Sequence, residues 1–467
     1  MATVNGAVGK PQHISQIIES TKMNGNQAQD AAGRADTPVS RDTPDYLHVF
    51  DSRTCNIHHI PVSDGFVRGS DLSTIAAPVK GNSGRMQKLA VLDPGFQHTA
   101  CKESGITFID GEKGELRYRG VRIEDLFHDH DFDSTLHLLL WGRLPTKEEK
   151  IAFERKIYEA ATPPQEVCDV IRKLPKNLDF ISMFLTGLST YMGTDEEMTR
   201  SRHQAVMTYH KNMKATDDAI IRCFAYVSAT LATVYCHVKG VELHPPKEGL
   251  TLVENFLHMI GMEDPDKKVS RTIDRLSINM ADHELSCSTA AFLHVASSLT
   301  DPMTCLLTAI SAASGPLHGG ALEVCYQGLE LIGSVENVPA YIAAVKAKKF
   351  RLFGYGHRVY KIQDPRAALT KELMEEHREA IAANPLLQIA VEIDRQANTD
   401  PYFVERKLKL NADFYGCFVY IALGIPRDMI PGLLTISRMG GLMAHWREAM
   451  STLPFQGRYV GANIKSR

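Results

Sequence analysis

Two kinds of hydrophobic periodicity divide this chain. Between residues 46 and 120 apolar and polar positions alternate, most clearly in Ile106–Asp110 and Glu115–Gly120. The glycine-flanked segment 111–114 between them predicts a β-hairpin. Beyond residue 120 the spacing of apolar residues becomes helical. The pattern therefore predicts a mainly α-helical protein with a small β-rich N-terminal region.

The first clear helix start lies at Thr146. Glu149 follows three residues later, and the two residue types at this spacing predict a capping box. Ile151, Ile157 and Tyr158 then suggest an apolar stripe that faces the core. A helix of this kind is expected to lie on the surface with one side buried.

The longest apolar region runs from Thr289 to Ser314. Asp301 and Pro302 interrupt it, and aspartate followed by proline is typical of a helix start. We therefore expect two buried helices here rather than one membrane span, and no association with a membrane.

Composition and charge narrow the class of protein. A net charge of −3 and a pI near 6.7 give no general basic field, so nucleic acid is not an expected partner, although local arginines still suit small anions. The nine cysteines are scattered and form no CxxC pair, which fits reduced thiols and indicates neither a zinc site nor a disulfide framework.

Residues 1–45 are polar and lack apolar periodicity, so they are predicted to form a disordered leader. The leader contains acids and no apolar stretch, unlike a mitochondrial or secretory signal. The last three residues, 465–467, read KSR, which differs from the SKL peroxisomal address. A cytoplasmic location is therefore expected.

Four short motifs carry titratable residues beside glycine, proline or other charged groups. They are ADHE around His283, GPLHGG around His318, GYGHRVYKIQDPR around His357 and NADFY around Asp413. Three histidines and a carboxylate are sufficient for acid–base carbon chemistry. No two of these histidines stand at an i, i+4 or HExxH spacing, so no metal is expected.

Each motif also has a plainer interpretation. His318, beside Pro316 and before two glycines, suits a helix start near a ligand, but a buried turn histidine has the same pattern. His357 heads a basic cluster that could hold carboxylates and phosphates, or could form a solvated loop. His283 between two acids also fits an exposed helix.

Asp413 lies at the start of an otherwise apolar run, NADFYGCFVYIALGIP. Burial of an acid in such a helix raises its pKa towards the range of a general base. The alternative is a capping aspartate after Asn411.

Taken together, GPLHGG, GYGH with RVYKIQDPR, and NADFY resemble the motifs of citrate synthases in order and separation. The segment from LDPGF to RYRGVRIEDL is similar to the start of the bacterial-type, hexamer-forming branch, and a fungal-type alkylcitrate synthase fits the same pattern. The resemblance covers about residues 90–450. It implies two mostly helical domains, with a large domain of β-rich 46–120 and helical 121–315, a small domain over 316–431, and a return to the large domain over 432–467.

The resemblance also implies the reaction, a Claisen condensation of an acyl-CoA with oxaloacetate followed by hydrolysis of the thioester. Asp413 would take the proton from the acyl α-carbon, and His318 would donate a hydrogen bond to the thioester oxygen. His357 would polarise the ketone of oxaloacetate. The developing oxyanion needs such a donor because the α-proton of a thioester is only weakly acidic.

The implied binding residues are His283, Arg366 and Arg438 for oxaloacetate, and Arg358 and Lys361 for the CoA phosphates. Oxaloacetate and the acyl-CoA are substrates, and no cofactor is implied. Members of the family complete each site from a second subunit, so a homodimer or larger homo-oligomer is expected.

Three positions depart from the family pattern. Leu322 stands where relatives have an amide, and Gly416 where they have a hydroxyl. Arg458 is the candidate to replace an arginine that relatives donate across the subunit interface. Less polar or smaller groups near the acyl end suit a longer chain, since each buried methylene contributes about 0.8 kcal/mol. The hypothesis is a longer-chain acyl-CoA and a 2-alkylcitrate product; the alternatives are a catalytically silent relative and a metal-dependent hydrolase.

Overall fold

The computed structural model describes residues 45–79, 82–93, 98–204, 207–356, 359–360 and 362–452, without the side chains of Asn82, Ser83 and Asp413. The predicted leader, except for its last residue, lies outside the described residues. So do four predicted site residues: His357, Arg358, Lys361 and Arg458.

The chain divides into two units, residues 1–102 and 103–467. In the first, strand β1 (Asp45–Asp51) pairs antiparallel with β2 (Asn56–Val62). A short helix α1 (Gly69–Leu72) follows, and β3 (Ala76–Val79) pairs antiparallel with β4 (Asn82–Lys88).

The second unit opens with a three-stranded antiparallel sheet in the order β5 (Thr107–Asp110), β6 (Glu115–Tyr118) and β7 (Val121–Arg122). The pairing of Asp110 with Glu115 closes the predicted hairpin, so this prediction is confirmed. The β-rich N-terminal region is confirmed as well, since the strands lie within residues 45–122 of the part described.

Helices form nearly all the rest of the second unit. In chain order they are α2 (Ile123–Asp129), α3 (Phe132–Trp141), α4 (Lys147–Ala160), α5 (Gln165–Lys173), α6 (Phe180–Thr194), α7 (Glu196–His203), α8 (Met213–Lys239), α9 (Leu252–Met259), α10 (Lys268–Met280), α11 (Cys287–Ala296), α12 (Pro302–Ala313), α13 (Ala321–Ile332), α14 (Val338–Lys346), α15 (Pro365–Glu376), α16 (Arg378–Ala383), α17 (Pro385–Ala397), α18 (Pro401–Glu405), α19 (Ala412–Ala422) and α20 (Ile430–Ser451). Short 3₁₀ turns at Val335–Asn337 and Arg427–Met429 precede α14 and α20. The mainly α fold predicted from the sequence is confirmed; the domain boundaries at 315/316 and 431/432 stay predictions.

The long helix α8 forms the centre of the core and packs against α4, α6 and α20. It is long and apolar enough to cross a membrane, but 89% of its most apolar window is buried inside the protein. Trp446 of α20, fully buried, packs edge-on against Tyr209 with ring centroids 5.2 Å apart. Burial of this apolar surface is the main source of stability for the helical unit.

Two details of α4 test the sequence pattern. The capping box is confirmed, because Glu149 N donates to Thr146 Oγ1 at 3.3 Å and Thr146 N donates to the Glu149 carboxylate at 2.9 Å. The apolar stripe is wrong at Ile151, which is 54% exposed. The buried face instead carries Phe153 and Ile157, which are four residues apart and so share one side of the helix.

The apolar region 289–314 forms two helices, α11 and α12, as predicted. Asp301 caps α12 by accepting from Thr304 N at 2.9 Å, and Pro302 occupies the first turn, where no intrahelical amide donor is required. The two helices pack together, and the chain leaving α12 carries His318 back towards the start of α11.

Candidate active site

One cavity of about 590 Å³ collects the described members of the predicted site. Its lining includes His283, His318, Arg366 and Arg438, which the sequence separates by as many as 155 positions. We call it the main cavity.

A tight turn presents His318. The chain leaves α12 after Ala313, and Ala321 N donates to the His318 carbonyl at 2.9 Å as α13 begins. A Cβ at Gly320 would lie 2.5 Å from the Ser314 carbonyl oxygen, so a side chain there would break the turn. The second glycine after His318 in the motif, Gly320, is therefore required because two backbone segments approach closely there.

The His318 ring is held in one protonation state. Its Nε2 lies 2.8 Å from Ser288 Oγ and 3.3 Å from Ser288 N, and a backbone amide can only donate. Nε2 is therefore an acceptor, and the proton of the neutral ring is assigned to Nδ1 from this network. Burial, and after it the positive charge of Arg438, lower the pKa of His318 below its usual value. The neutral imidazole can thus donate a hydrogen bond from Nδ1.

Arg366 is fixed by a carboxylate two residues before it. Its Nε and Nη2 donate to the two oxygens of Asp364 at 3.1 and 2.8 Å, and both residues are at most 5% exposed. Asp364 also caps α15, where Pro365 takes the first position. A bidentate pair restricts the guanidinium to one orientation, as recognition of a carboxylate requires.

The two segments that lead to His357 and Asp413 are hydrogen-bonded to each other. Gly356 N donates to Lys409 O at 2.7 Å, and Asn411 N donates to Gly354 O at 3.0 Å. Asn411 Nδ2 adds a bond to the Gly356 carbonyl at 3.0 Å. Gly354, Gly356 and Asn411 all line the main cavity.

His357 itself lies outside the described residues, and of Asp413 only the backbone is described, near the start of α19. Their described neighbours reach the main cavity from adjacent segments. Gly354 has φ +81°, and a Cβ there would lie 2.6 Å from Phe414 Cβ, so this position needs glycine to seat the segment on α19.

His283 and Arg438 complete the described part of the site. The half-buried His283 ring packs edge-on against Tyr360, with centroids 5.8 Å apart. The preceding residue, Asp282, is fully buried and accepts from Thr107 Oγ1 at 2.6 Å, while its carbonyl accepts from Tyr118 Oη at 3.0 Å. These bonds fix the segment that carries His283 to the β5–β6 sheet.

Sequence reasoning missed three residues that position the site: Asp282, Ser288 and Asp364. The adjacent aspartate and proline at 364–365 could have revealed Asp364, since this pair predicts a helix start two residues before a candidate arginine. Asp282 and Ser288 had no such signal, because their roles depend on long-range contacts.

In the described part of the chain three further cavities share lining residues with the main one; the fourth cavity, of about 250 Å³, shares Arg351, Leu352 and Phe353 with it. The second, of about 270 Å³, shares lining residues with it on the side of α13. The third, of about 680 Å³, shares Arg351, Leu352, Tyr355 and Gly356 with the main cavity and is lined by the cations Lys348, Lys349 and Arg351.

Comparison with known proteins agrees with this geometry. The family model described as "Citrate synthase, C-terminal domain" matches residues 95–457. A citrate synthase-like protein of Phoma sp. is 93% identical, with 97% of each chain covered. Alkylcitrate synthase phiJ of a fungal species is 38% identical over 90% of this chain and 94% of that protein.

Among solved structures, the ternary complex of Thermoplasma acidophilum citrate synthase with carboxymethyl coenzyme A and oxaloacetate has a TM-score of 0.71. The two proteins are 26% identical, and the match covers 81% of this chain and 98% of that one. The chain described here therefore belongs to the citrate synthase family of acyltransferases.

Proposed function

We propose that this enzyme condenses oxaloacetate with an acyl-CoA longer than acetyl-CoA and hydrolyses the resulting thioester, releasing CoA and a 2-alkylcitrate. The observation that carries the proposal is the convergence of His283, His318, Arg366 and Arg438 on the main cavity of a citrate synthase family member. The relative named alkylcitrate synthase supports the longer acyl group.

Oxaloacetate supplies two carboxylates, and two of the three arginines that line the main cavity, Arg366 and Arg438, are proposed to bind them. Arg366, oriented by Asp364, presents a fixed guanidinium, and Arg438 projects from α20. His283, which lines the same cavity, adds a further polar group. Planar, delocalised guanidinium groups suit this recognition better than ammonium groups because each binds a carboxylate through two parallel hydrogen bonds.

The reaction begins with proton removal from the acyl α-carbon. In this proposal the Asp413 carboxylate takes the proton, while Nδ1–H of neutral His318 donates to the thioester oxygen and stabilises the enol. The enol carbon then attacks the ketone carbon of oxaloacetate, whose oxygen is polarised by His357 and takes a proton through it. The proton that Asp413 removed from the α-carbon balances this transfer and restores both groups. Water finally cleaves the thioester, giving the carboxylate and CoA thiol. A preorganised donor is worth about 2.7–4 kcal/mol in reactions of this type.

The third cavity is the proposed binding site of the CoA nucleotide. Lys348, Lys349 and Arg351 are exposed cations beside the aromatic side chains of Phe350 and Tyr402. Phosphate groups would pair with the cations, and an adenine ring could stack on an aromatic face. Arg358 and Lys361, which lie outside the described residues, remain predicted contacts of the phosphates.

Release of free thiol with oxaloacetate and a panel of acetyl-, hexanoyl- and decanoyl-CoA tests the proposal, with and without EDTA. We expect hexanoyl- or decanoyl-CoA to give the higher kcat/KM, with no loss in EDTA, and His318→Ala to lower kcat by about 10³-fold. Citrate formation from acetyl-CoA far outpacing both longer substrates would contradict the acyl assignment. Absence of turnover with every thioester would favour a silent binding protein, and loss in EDTA a metal-dependent hydrolase.

Assembly and location stay predictions. A homodimer or larger homo-oligomer is checked by light scattering of the purified protein, and a cytoplasmic location by fractionation of cells.

A further inference from the structure

The second cavity lies directly beside the main cavity. Five lining residues are common to both, which makes them a shared wall: Asp179, Ile181, Leu322, Glu323 and Pro431. Leu322 is the most buried of the five, at 6% exposed, and belongs to the first turn of α13. A molecule that fills the main cavity therefore has only this wall between it and a further 270 Å³ of space.

The wall is close in the chain to the two residues assigned to enol formation. Leu322 lies in the first turn of α13, which begins three residues after His318. Cys417, which lines the second cavity, lies on α19 four positions after Asp413, and positions four apart on a helix occupy the same face. Helices α13 and α19 pack against each other, so both segments connect the catalytic positions with the lining of the second cavity.

The interior of the second cavity is apolar. Its buried lining residues are at most 7% exposed: Phe180, Met183, Leu322, Cys417 and Ile430. The charged lining residues are exposed or half-buried and so lie at the rim: Lys176, Asp179, Glu323, Arg427 and Asp428. Arg427 donates to Asp428 at 3.3 Å and to Glu330, which is outside the lining, at 3.1 Å. The apolar buried part suits a hydrocarbon chain, while the charged rim stays in contact with water.

We propose that the second cavity binds the distal part of the acyl chain of the thioester substrate, and that Leu322 determines which chain lengths pass from the main cavity. This inference rests on the proposed function and adds the location of the acyl tail. Acetyl-CoA is too short to reach the second cavity. Each methylene buried there raises kcat/KM by about fourfold, which is the transfer free energy of one methylene group expressed as a rate ratio.

Leu178→Trp is the first test. Leu178 lines the second cavity but not the main one, and it is 38% exposed, so a larger side chain can be accommodated without disturbing the core. The indole would occupy part of the space for the tail. We expect the ratio of kcat/KM for decanoyl-CoA to that for acetyl-CoA to fall at least about tenfold, mainly through KM. Ile151→Trp, at a 54% exposed position of α4, is the control and should leave the ratio unchanged.

Leu322→Asn and Cys417→Ser test the wall and the interior by polarity at nearly constant size. Both should lower the same ratio, because each places a more polar group against the hydrocarbon chain. Cys305→Ser is the matched control for the second substitution: Cys305 is also buried, on α12, but lines none of the four cavities. Thermal melts of all variants establish that each is folded at the assay temperature.

The outcomes separate this inference from the proposed function. If the wild-type enzyme turns over decanoyl-CoA well and Leu178→Trp, Leu322→Asn and Cys417→Ser all leave the ratio unchanged, the proposed function stands and the tail lies elsewhere. If the wild-type enzyme uses acetyl-CoA alone, both fail. A selective loss with decanoyl-CoA in Leu178→Trp and in either polar variant, absent from the two controls, supports the second cavity as the tail site.

Discussion

The residues that support Arg366 and the core between α3 and α10 both contain buried carboxyl groups, and the two regions neutralise them in different ways. Asp364 does not line the main cavity itself; it is 1% exposed and forms a bidentate pair with Arg366, which does line it. In the core, Asp133 is equally buried, but no ion pair involves it among residues 45–452 as far as they are described. Its Oδ2 accepts only the Leu252 amide, at 3.1 Å.

The carboxyl group of Asp133 is therefore protonated near neutral pH. Burial, reinforced by the negative charges of Asp131 and Glu154, raises the pKa of Asp133 to about 8. Burial and the nearby Asp133 likewise raise the pKa of Asp274 on α10 well above its usual value. The comparison indicates that a buried carboxylate keeps its charge where a cation pairs with it, as at Asp364 and, away from the main cavity, at Asp301, whereas Asp133 and Asp274 are held neutral.

Removing the charge of Asp364 should have the largest effect. Asp364→Asn removes the carboxylate that pairs with the buried Arg366, while the asparagine side-chain oxygen can still cap α15. We expect the free energy of unfolding to fall by about 3–5 kcal/mol and kcat/KM for oxaloacetate to fall by about 10²-fold or more. Denaturant titration and steady-state kinetics measure the two effects.

Asp301→Asn is a matched control for this substitution. Asp301 is also fully buried, precedes a proline at a helix start and pairs with an arginine, Arg202, at 2.8 Å, but Arg202, unlike Arg366, does not line the main cavity. It should lose stability without a selective loss of oxaloacetate binding. Equal kinetic losses in the two variants would mean that Asp364 acts through general stability alone.

Replacing the buried aspartate in the core should instead stabilise the protein. The folded-state pKa of Asp133 is raised, so its contribution to the free energy of unfolding is fully present below the unfolded-state pKa of 3.8. That contribution is lost as the pH rises through about 8. Asp133→Asn has no proton to lose, and we expect it to be more stable than the wild type by about 1–3 kcal/mol at pH 8, with a smaller difference at pH 5. Guanidinium titrations at both pH values measure this.

Asp131→Asn provides the contrast. Asp131 pairs with Lys150 at 2.7 Å and caps α3 through Ser134 N, so loss of its charge should destabilise the protein at pH 8. A pH-independent difference between wild type and Asp133→Asn would show that Asp133 is ionised in the folded state.

The sequence predicted what depends on local pattern. The capping box at Thr146, the hairpin of β5 and β6 and the break at Asp301-Pro302 follow from neighbouring residues, and each was confirmed. Ile151 was placed wrongly because helical spacing defines a stripe but not how wide the buried face is.

The same distinction between local pattern and long-range contacts applies to the candidate site. His283, His318, Arg366 and Arg438 were found through motifs, and the cavity they share required the fold. The roles of Ser288 and Asp282 could not be predicted, since each depends on a partner at least 30 positions away. The second cavity could not be predicted from the sequence either, because its lining comes from α6, α8, α13, α19 and the start of α20, which are far apart in the chain.

Ser288 gives the smallest expected effect, because its hydroxyl contacts a neutral group, the His318 imidazole, and not a buried charge. Ser288→Ala removes the hydroxyl 2.8 Å from His318 Nε2 but keeps the backbone amide at 3.3 Å. One lost hydrogen bond costs about 0.5–1.5 kcal/mol, so kcat should fall by up to about tenfold. Ser288→Thr, which retains a hydroxyl, should recover part of the loss.

The pH profile of Ser288→Ala distinguishes a role in catalysis from a role in folding. His318 must be neutral to donate from Nδ1, and its pKa is already lowered by burial and Arg438, so kcat of the wild type should decline only on the acidic side. Without the hydroxyl the ring is less constrained to one tautomer, and kcat should fall across the pH range in which His318 is neutral. Ser297→Ala, which removes a hydroxyl that donates to Leu293 O near the other end of α11, should leave kcat unchanged. An equal loss in both variants would assign Ser288 to the stability of α11 instead of to the orientation of His318.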